Sequence, residues 1–205
     1  MIRLEKENPL VSIITPCYNG ENVMHRLLDS ILSQTYSNIE FILINDGSTD
    51  HSEEIWYQYE KKFNEKGIKT IYIHQRNQGL GAAINAGLKV FTGDYLCWPD
   101  IDDYFEDTSV EKRVNFLETH KEYGSVSSDA NQYMEDNLSE PVGTMASWLK
   151  HKEDEWQFEW LLKGQSLFCS GCHMLRTTSF LDVNPDRYIY PARRGQNNQM
   201  LLPIY

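Results

Sequence analysis

The sequence predicts an α/β fold, with a mainly parallel central sheet, helices on both faces and a less regular segment after it. Three observations carry this. Short β-branched or apolar runs alternate with stretches apolar at helical spacing, from residue 10 to about residue 129. One run, Phe41-Ile42-Leu43-Ile44, is continuously apolar, as a strand buried on both faces should be. A chain of 205 residues buries roughly 70% of its unfolded surface as one domain, so it needs neither disulfide nor structural metal to fold.

The elements follow in order. Val11-Ser12-Ile13-Ile14-Thr15 is a β-branched strand ending at Pro16, and Asn19 can cap a helix carrying Val23, Leu27, Leu28, Ile31 and Leu32. After the second strand, at 41–44, Asp46-Gly47-Ser48-Thr49-Asp50 breaks the pattern, and Asp50 with Glu53 reads as a capping box for the next helix. Thr70-Ile71-Tyr72-Ile73 is a third strand and 80–91 a third helix; Asp94-Tyr95-Leu96-Cys97-Trp98 is a fourth strand and 110–120 a fourth helix. Gly124-Ser125-Val126-Ser127-Ser128 is a fifth strand. Residues 1–129 thus form one half of a single domain and 130–205 the other. In the second half, 135–147 reads as a mobile loop, 153–163 as a helix with Trp156 and Trp160, 167–175 as a strand broken by Gly171, and 195–202 as the start of a helix. The chain stops in mid-pattern, so we expect it to be truncated at its C-terminus.

Composition narrows the function. Nineteen basic against 30 acidic residues leave a net charge of −11, which argues against a nucleic-acid partner, since a phosphate-backbone reader needs a basic stripe. A phosphorylated ligand stays open if a divalent cation mediates the contact. No run approaches the ~20 apolar residues of a membrane helix, and the first residues are no signal peptide. Four cysteines in a chain this long do not form a disulfide framework, so a reducing cytoplasm is expected.

In open parallel sheets ligands sit beyond the carboxyl ends of the strands. There the sequence places Thr15-Pro16-Cys17-Tyr18-Asn19, then Asn45-Asp46-Gly47-Ser48, then Pro99-Asp100-Ile101-Asp102-Asp103. Three carboxylates within four residues repel one another unless a cation neutralises them, and all-oxygen ligands point to Mg²⁺ or Mn²⁺. A solvated acidic turn is the simpler alternative for the Asp run alone.

From Val11 to Asp103 the chain resembles the inverting family 2 glycosyltransferases of GT-A (Rossmann-like) fold. The resemblance rests on 11–19, on Ser30-Ile31-Leu32-Ser33-Gln34-Thr35-Tyr36, on Ile44-Asn45-Asp46-Gly47-Ser48-Thr49-Asp50, on 77–87 and on Gly93-Asp94-Tyr95, with Asp100-Ile101-Asp102-Asp103 at the family's metal motif. It implies a nucleotide-diphosphate sugar donor, UDP-linked foremost, and a saccharide or lipid-linked acceptor in cell-surface polysaccharide synthesis of a bacterial cell. It implies nucleotide contacts at Pro16, Tyr18, Asp46 and Asp100, and Mn²⁺ or Mg²⁺ at Asp100 and Asp102 with Asp103 bordering. Peripheral association with the inner face of the cell membrane, through chain beyond residue 205, is a further expectation.

One departure matters. The family's general base is the Asp of a Glu-Asp pair opening a helix; the corresponding stretch here is Gly195-Gln196-Asn197-Asn198-Gln199-Met200. Asn197 holds the base position, and a carboxamide cannot take a proton at neutral pH. The base is then supplied elsewhere, with Asp182, Asp186 and His173 as candidates; or the amides orient the acceptor; or the chain binds donor without turning it over. A nucleotidyltransferase is a further alternative, although it would want a basic Gly-rich loop after the first strand. Cys169 and Cys172 have half of a zinc spacing without a second pair, and read as two reduced thiols on a buried strand. Arg193 and Arg194 could clamp a phosphate.

Overall fold

The computed structural model describes residues 8–148, 169–192, 195–201 and 203–204. The expected helix at 153–163 and the pair Arg193 and Arg194 lie outside the described residues. Strands β1 (Val11–Cys17), β2 (Ile39–Asn45), β3 (Lys69–His74), β4 (Tyr95–Cys97), β5 (Ser125–Ser127) and β8 (His173–Arg176) make a six-stranded sheet in the order β3-β2-β1-β4-β8-β5. The four strands from β3 to β4 run parallel; β8 enters antiparallel between β4 and β5. Mainly parallel therefore holds for the strands of residues 1–129, and the sheet turns mixed where the second half joins it. Of the strand expected at 167–175, residues 167 and 168 lie outside the described residues, and β8 starts only at His173 because Ser170–Cys172 forms a 3-10 turn.

Alternate residues of each strand feed two cores, as the two-residue period of a strand requires. Helices α1 (Met24–Leu32), α2 (Ser52–Lys66) and α4 (Ser109–Thr119) cover one face over Ile13, Phe41, Leu43 and Cys97. Helices α3 (Leu80–Val90), α5 (Thr177–Val183) and α6 (Gln196–Leu201) belong to the other, with Ile14, Ile42, Ile44 and Leu96. Segment 135–147 is turns and bends as far as residue 142 and regular after it. Two short strands, β6 (Asn131–Gln132) and β7 (Gly143–Thr144), pair antiparallel and lead into a 3-10 turn at Met145–Trp148. Among the described residues no helix is long and apolar enough to cross a membrane.

Asn19 does not cap α1, and of the box expected at α2 only the Asp50 half forms. α1 starts at Met24, and Asn19, at φ 52°, instead accepts the Thr49 N–H at 2.8 Å. The Asp50 carboxylate takes the N–H groups of Ser52 at 3.1 Å and Glu21 at 3.0 Å, without a reciprocal bond from Glu53. These side chains lace the loop after β1 to the loop after β2, which satisfies backbone donors of both loops and the first N–H of α2 together.

Candidate functional site

The carboxyl ends of the four parallel strands form one rim. At the end of β1, Pro16 is half-buried and Tyr18 is 52% exposed, so its ring is free to stack on a ligand. At the end of β2, Asp46 is buried and works as a fastener. Its Oδ1 accepts from Gln75 Nε2 at 2.7 Å and Gln78 N–H at 3.0 Å, and its Oδ2 from Gly79 N–H at 2.8 Å. Those bonds hold the 75–79 loop, which carries the chain into α3. Gly47 lets the turn close. It sits at φ +74°, and a Cβ there would come within 2.7 Å of the Asn77 nitrogen.

Beyond β4, Asp100 and Asp103 fold over each other and Asp102 faces outward. The Asp100 N–H donates to Asp103 Oδ2 at 3.3 Å and the Ser170 hydroxyl donates to Asp100 Oδ2 at 2.7 Å. Burial raises the Asp103 carboxyl to about 6, helped by the charges of Asp100 and Asp102. Burial raises Asp100 too, with Asp102 adding and the Ser170 bond opposing. This is carboxylate charge held in a place that disfavours it, the condition a divalent cation relieves. Among the described residues no three His, Cys, Asp or Glu side chains are grouped to hold an ion. An ion here would use one or two of these carboxylates and fill its shell with ligand oxygens, the usual habit of Mg²⁺ beside phosphates.

The second half of the chain returns to this rim along α3. Arg187 donates to the Phe91 carbonyl at the far end of that helix, and Asn85 exchanges two 2.8 Å bonds with the backbone of Ile189 midway. Pro191 then crosses its first turn at Gly81, where a Cβ would lie 2.7 Å from Pro191 Cα. The path delivers α6 to the rim. There Asn197 Oδ1 accepts from the indole Nε1 of Trp98 at 2.8 Å, two positions from Asp100. Trp98 is buried, and sequence reading missed it; a Trp closing an apolar strand was the only signal.

Of the other base candidates, His173 packs against the rim residue Trp98, and the two aspartates lie toward the far ends of β4 and α3. His173 is 1% exposed, stacks on Trp98 at 6.1 Å and pairs with the Ser127 hydroxyl at 2.6 Å; burial, then Arg113, pulls it down to about 4. Asp182 is exposed on α5, which begins where Thr177 N–H meets the Asp94 carbonyl, at the opposite end of β4 from the rim. Asp186, likewise exposed, precedes the return along α3. Cys169 and Cys172 are free thiols that flank and end the 3-10 turn rather than sit on a strand, with Cys169 Sγ 3.9 Å from Asp103 Oδ2.

The sequence model described as Glycosyl transferase family 2 matches residues 12–183. An uncharacterized glycosyltransferase of Rickettsia prowazekii is 44% identical over 110 residues, covering 54% of this chain and 32% of that protein. The chain thus spans about a third of that relative's length. Among solved structures, S. aureus TarS 1–349 in complex with UDP-GlcNAc superposes with a TM-score of 0.66 at 21% identity, over 95% of this chain and 52% of that one. Mannosyltransferase PcManGT from Pyrobaculum calidifontis, in complex with GDP-Man and Mn²⁺, gives a TM-score of 0.55 at 22% identity, over 61% and 36% of the two chains. The fold shared with such structures is GT-A.

Proposed function

The chain belongs to glycosyl transferase family 2, and from that premise we propose that it moves a sugar from a nucleotide-diphosphate donor, UDP-linked foremost, onto a saccharide or lipid-linked acceptor, with inversion, in cell-surface polysaccharide synthesis. The observation that carries the reading is the convergence on one rim of Asp100, Asp102 and Asp103 from the end of β4 with Asn197 from α6, joined through Trp98. The ligands of the two solved structures, UDP-GlcNAc with TarS and GDP-Man with PcManGT, support a nucleotide-sugar donor here.

In this reading Tyr18 stacks on the nucleoside base and Pro16 shapes its seat, while Asp46 fixes the 75–79 loop beside it and accepts from the base. Asp100 and Asp102, bordered by Asp103, hold Mn²⁺ or Mg²⁺ against the diphosphate. Such an ion, when bound, offsets the charge that gathers on the leaving nucleotide. Asn197 cannot take the acceptor proton. With its oxygen occupied by Trp98, it keeps two N–H donors, and these orient an oxygen of the donor.

Because that position carries a carboxamide, a module that binds donor without transferring it is the second reading. A hydrolysis panel of UDP-, GDP- and dTDP-sugars with Mn²⁺ separates the two. Turnover of one UDP-sugar is expected; binding without hydrolysis favours the idle module, and absence of binding contradicts both.

A further inference from the structure

On the α1 and α4 side of Asp102 and Asp103 lies a cavity of about 580 Å³, walled by those two carboxylates, the 169–172 turn and the segment that carries β6 and β7. It is separate from the seat of Asp46, Trp98 and Asn197, none of which lines it. We propose that this cavity receives the acceptor, and that it selects a hydroxyl-rich saccharide bearing no phosphate, sulfate or carboxylate group. The proposal rests on the sugar-transfer reading above and names its second substrate by chemistry.

Size, shape and charge each contribute. A cavity of about 580 Å³ falls inside the roughly 300–1,000 Å³ of pockets that enclose small organic ligands, room enough for one or two sugar rings. Tyr104 and Tyr133 stand in its wall with ring centroids 6.0 Å apart and planes inclined by 37°. Paired tyrosines offer flat apolar faces to the C–H side of a sugar and phenolic hydroxyls to its edges. The described lining holds five carboxylates, Asp102, Asp103, Glu106, Asp129 and Glu135, against one guanidinium, Arg26.

Carboxylates accept bonds from neutral hydroxyls or amines. An anionic ligand would lose its hydration in a negative cavity whose described lining offers a single cation to meet it, so that lining works against that class as much as for the neutral one. The shared wall supplies the link to the reaction. Asp102 and Asp103 face both the cavity and the rim, so a hydroxyl held in the cavity lies next to the carboxylates assigned to the donor diphosphate.

The test is a binding panel read by saturation-transfer NMR on the wild-type chain with UDP present. It comprises methyl hexosides, methyl 2-amino-2-deoxyhexosides, methyl hexoside 6-phosphates and methyl uronosides. Neutral and amine-bearing members are expected to bind, with phosphorylated and uronic members at least about tenfold weaker. Tyr133→Ala should abolish saccharide binding, and the double variant Glu106→Lys, Glu135→Lys, both exposed positions, should narrow the gap between neutral and anionic members. Equal binding of anionic and neutral members, or no binding of any neutral member, overturns the proposal. UDP titration of the same sample separates the two failures. UDP bound without saccharide discrimination removes this inference and leaves the donor reading standing, whereas UDP unbound removes the donor reading and this inference with it.

Discussion

The indole nitrogen of Trp98 and the amide oxygen of Asn197 are joined at 2.8 Å across 99 positions of sequence. One bond ties the acidic rim after β4 to the first turn of α6. Trp98→Phe keeps the ring and deletes the donor. A hydrogen bond is worth about 1 kcal/mol net, so Tm should fall by about 2–4 °C for a domain of this size. Donor hydrolysis should fall by a larger factor than UDP affinity, because the loss frees Asn197 rather than the nucleotide seat. A Trp98→Phe variant that hydrolyses donor at the wild-type rate removes the positioning role.

Asn197→Asp keeps an oxygen for Trp98, so the variant should fold. It also adds a negative charge where the donor diphosphate approaches. Turnover should therefore drop, measured as kcat on the donor that the wild type hydrolyses. A gain of about 10²–10⁴-fold, the worth of a general base, would instead identify the wild type as the idle module.

Asp46→Ala removes the acceptor of three bonds to the 75–79 loop. Hydrogen bonds to a charged group are worth about 1.5–3 kcal/mol each. Lower thermal stability is expected together with a loss of about that size in UDP affinity, while inorganic diphosphate binds as before. Equal losses for UDP and diphosphate would show that Asp46 has no part in reading the base.

His173 gives a pH signature. Its folded pKa of about 4 lies below the ordinary 6.5 because burial, then Arg113, disfavours the imidazolium. Between those values the unfolded chain binds the extra proton. The stability His173 contributes is therefore complete above pH 6.5 and lost as pH falls toward 4, roughly 3 kcal/mol over the window. Asp103, raised to about 6, acts in the opposite sense and costs stability as pH rises through that value. The His173 share is thus read as the difference between wild type and His173→Gln in denaturation midpoints from pH 7 to pH 4.5. Parallel curves would contradict it.

Much of the first half was legible because its signals are local. The apolar run at 41–44 lies inside β2, and Gly47 marks the turn after it. The rim followed from the rule that parallel strands end on one side, which put Tyr18, Asp46 and Asp100 together before any distance was known. The rest depends on contacts far apart in sequence. Nothing near His173 says that β8 slides antiparallel between β4 and β5, since that choice is made by packing. Asn19 has the chemistry of a helix cap but a tertiary partner claimed it, and Asp50 divides its carboxylate between Ser52 at the start of α2 and the distant Glu21 N–H. Glu40, fully buried within β2, is tolerated because Ser12, Lys69 and Thr92 all donate to it. The partnership of Trp98 with Asn197 has no local signal.

The most direct test of the account is calorimetric titration of UDP into wild type and Asp102→Asn, each with and without Mn²⁺. Asp102 is exposed, so the variant should fold. Mn²⁺ is expected to tighten UDP binding to the wild type by at least about tenfold, or 1.4 kcal/mol, and Asp102→Asn should lose most of that gain. UDP binding that ignores Mn²⁺, or an Asp102→Asn variant that binds as tightly as wild type, would contradict the assignment of this rim to a metal-bound nucleotide diphosphate.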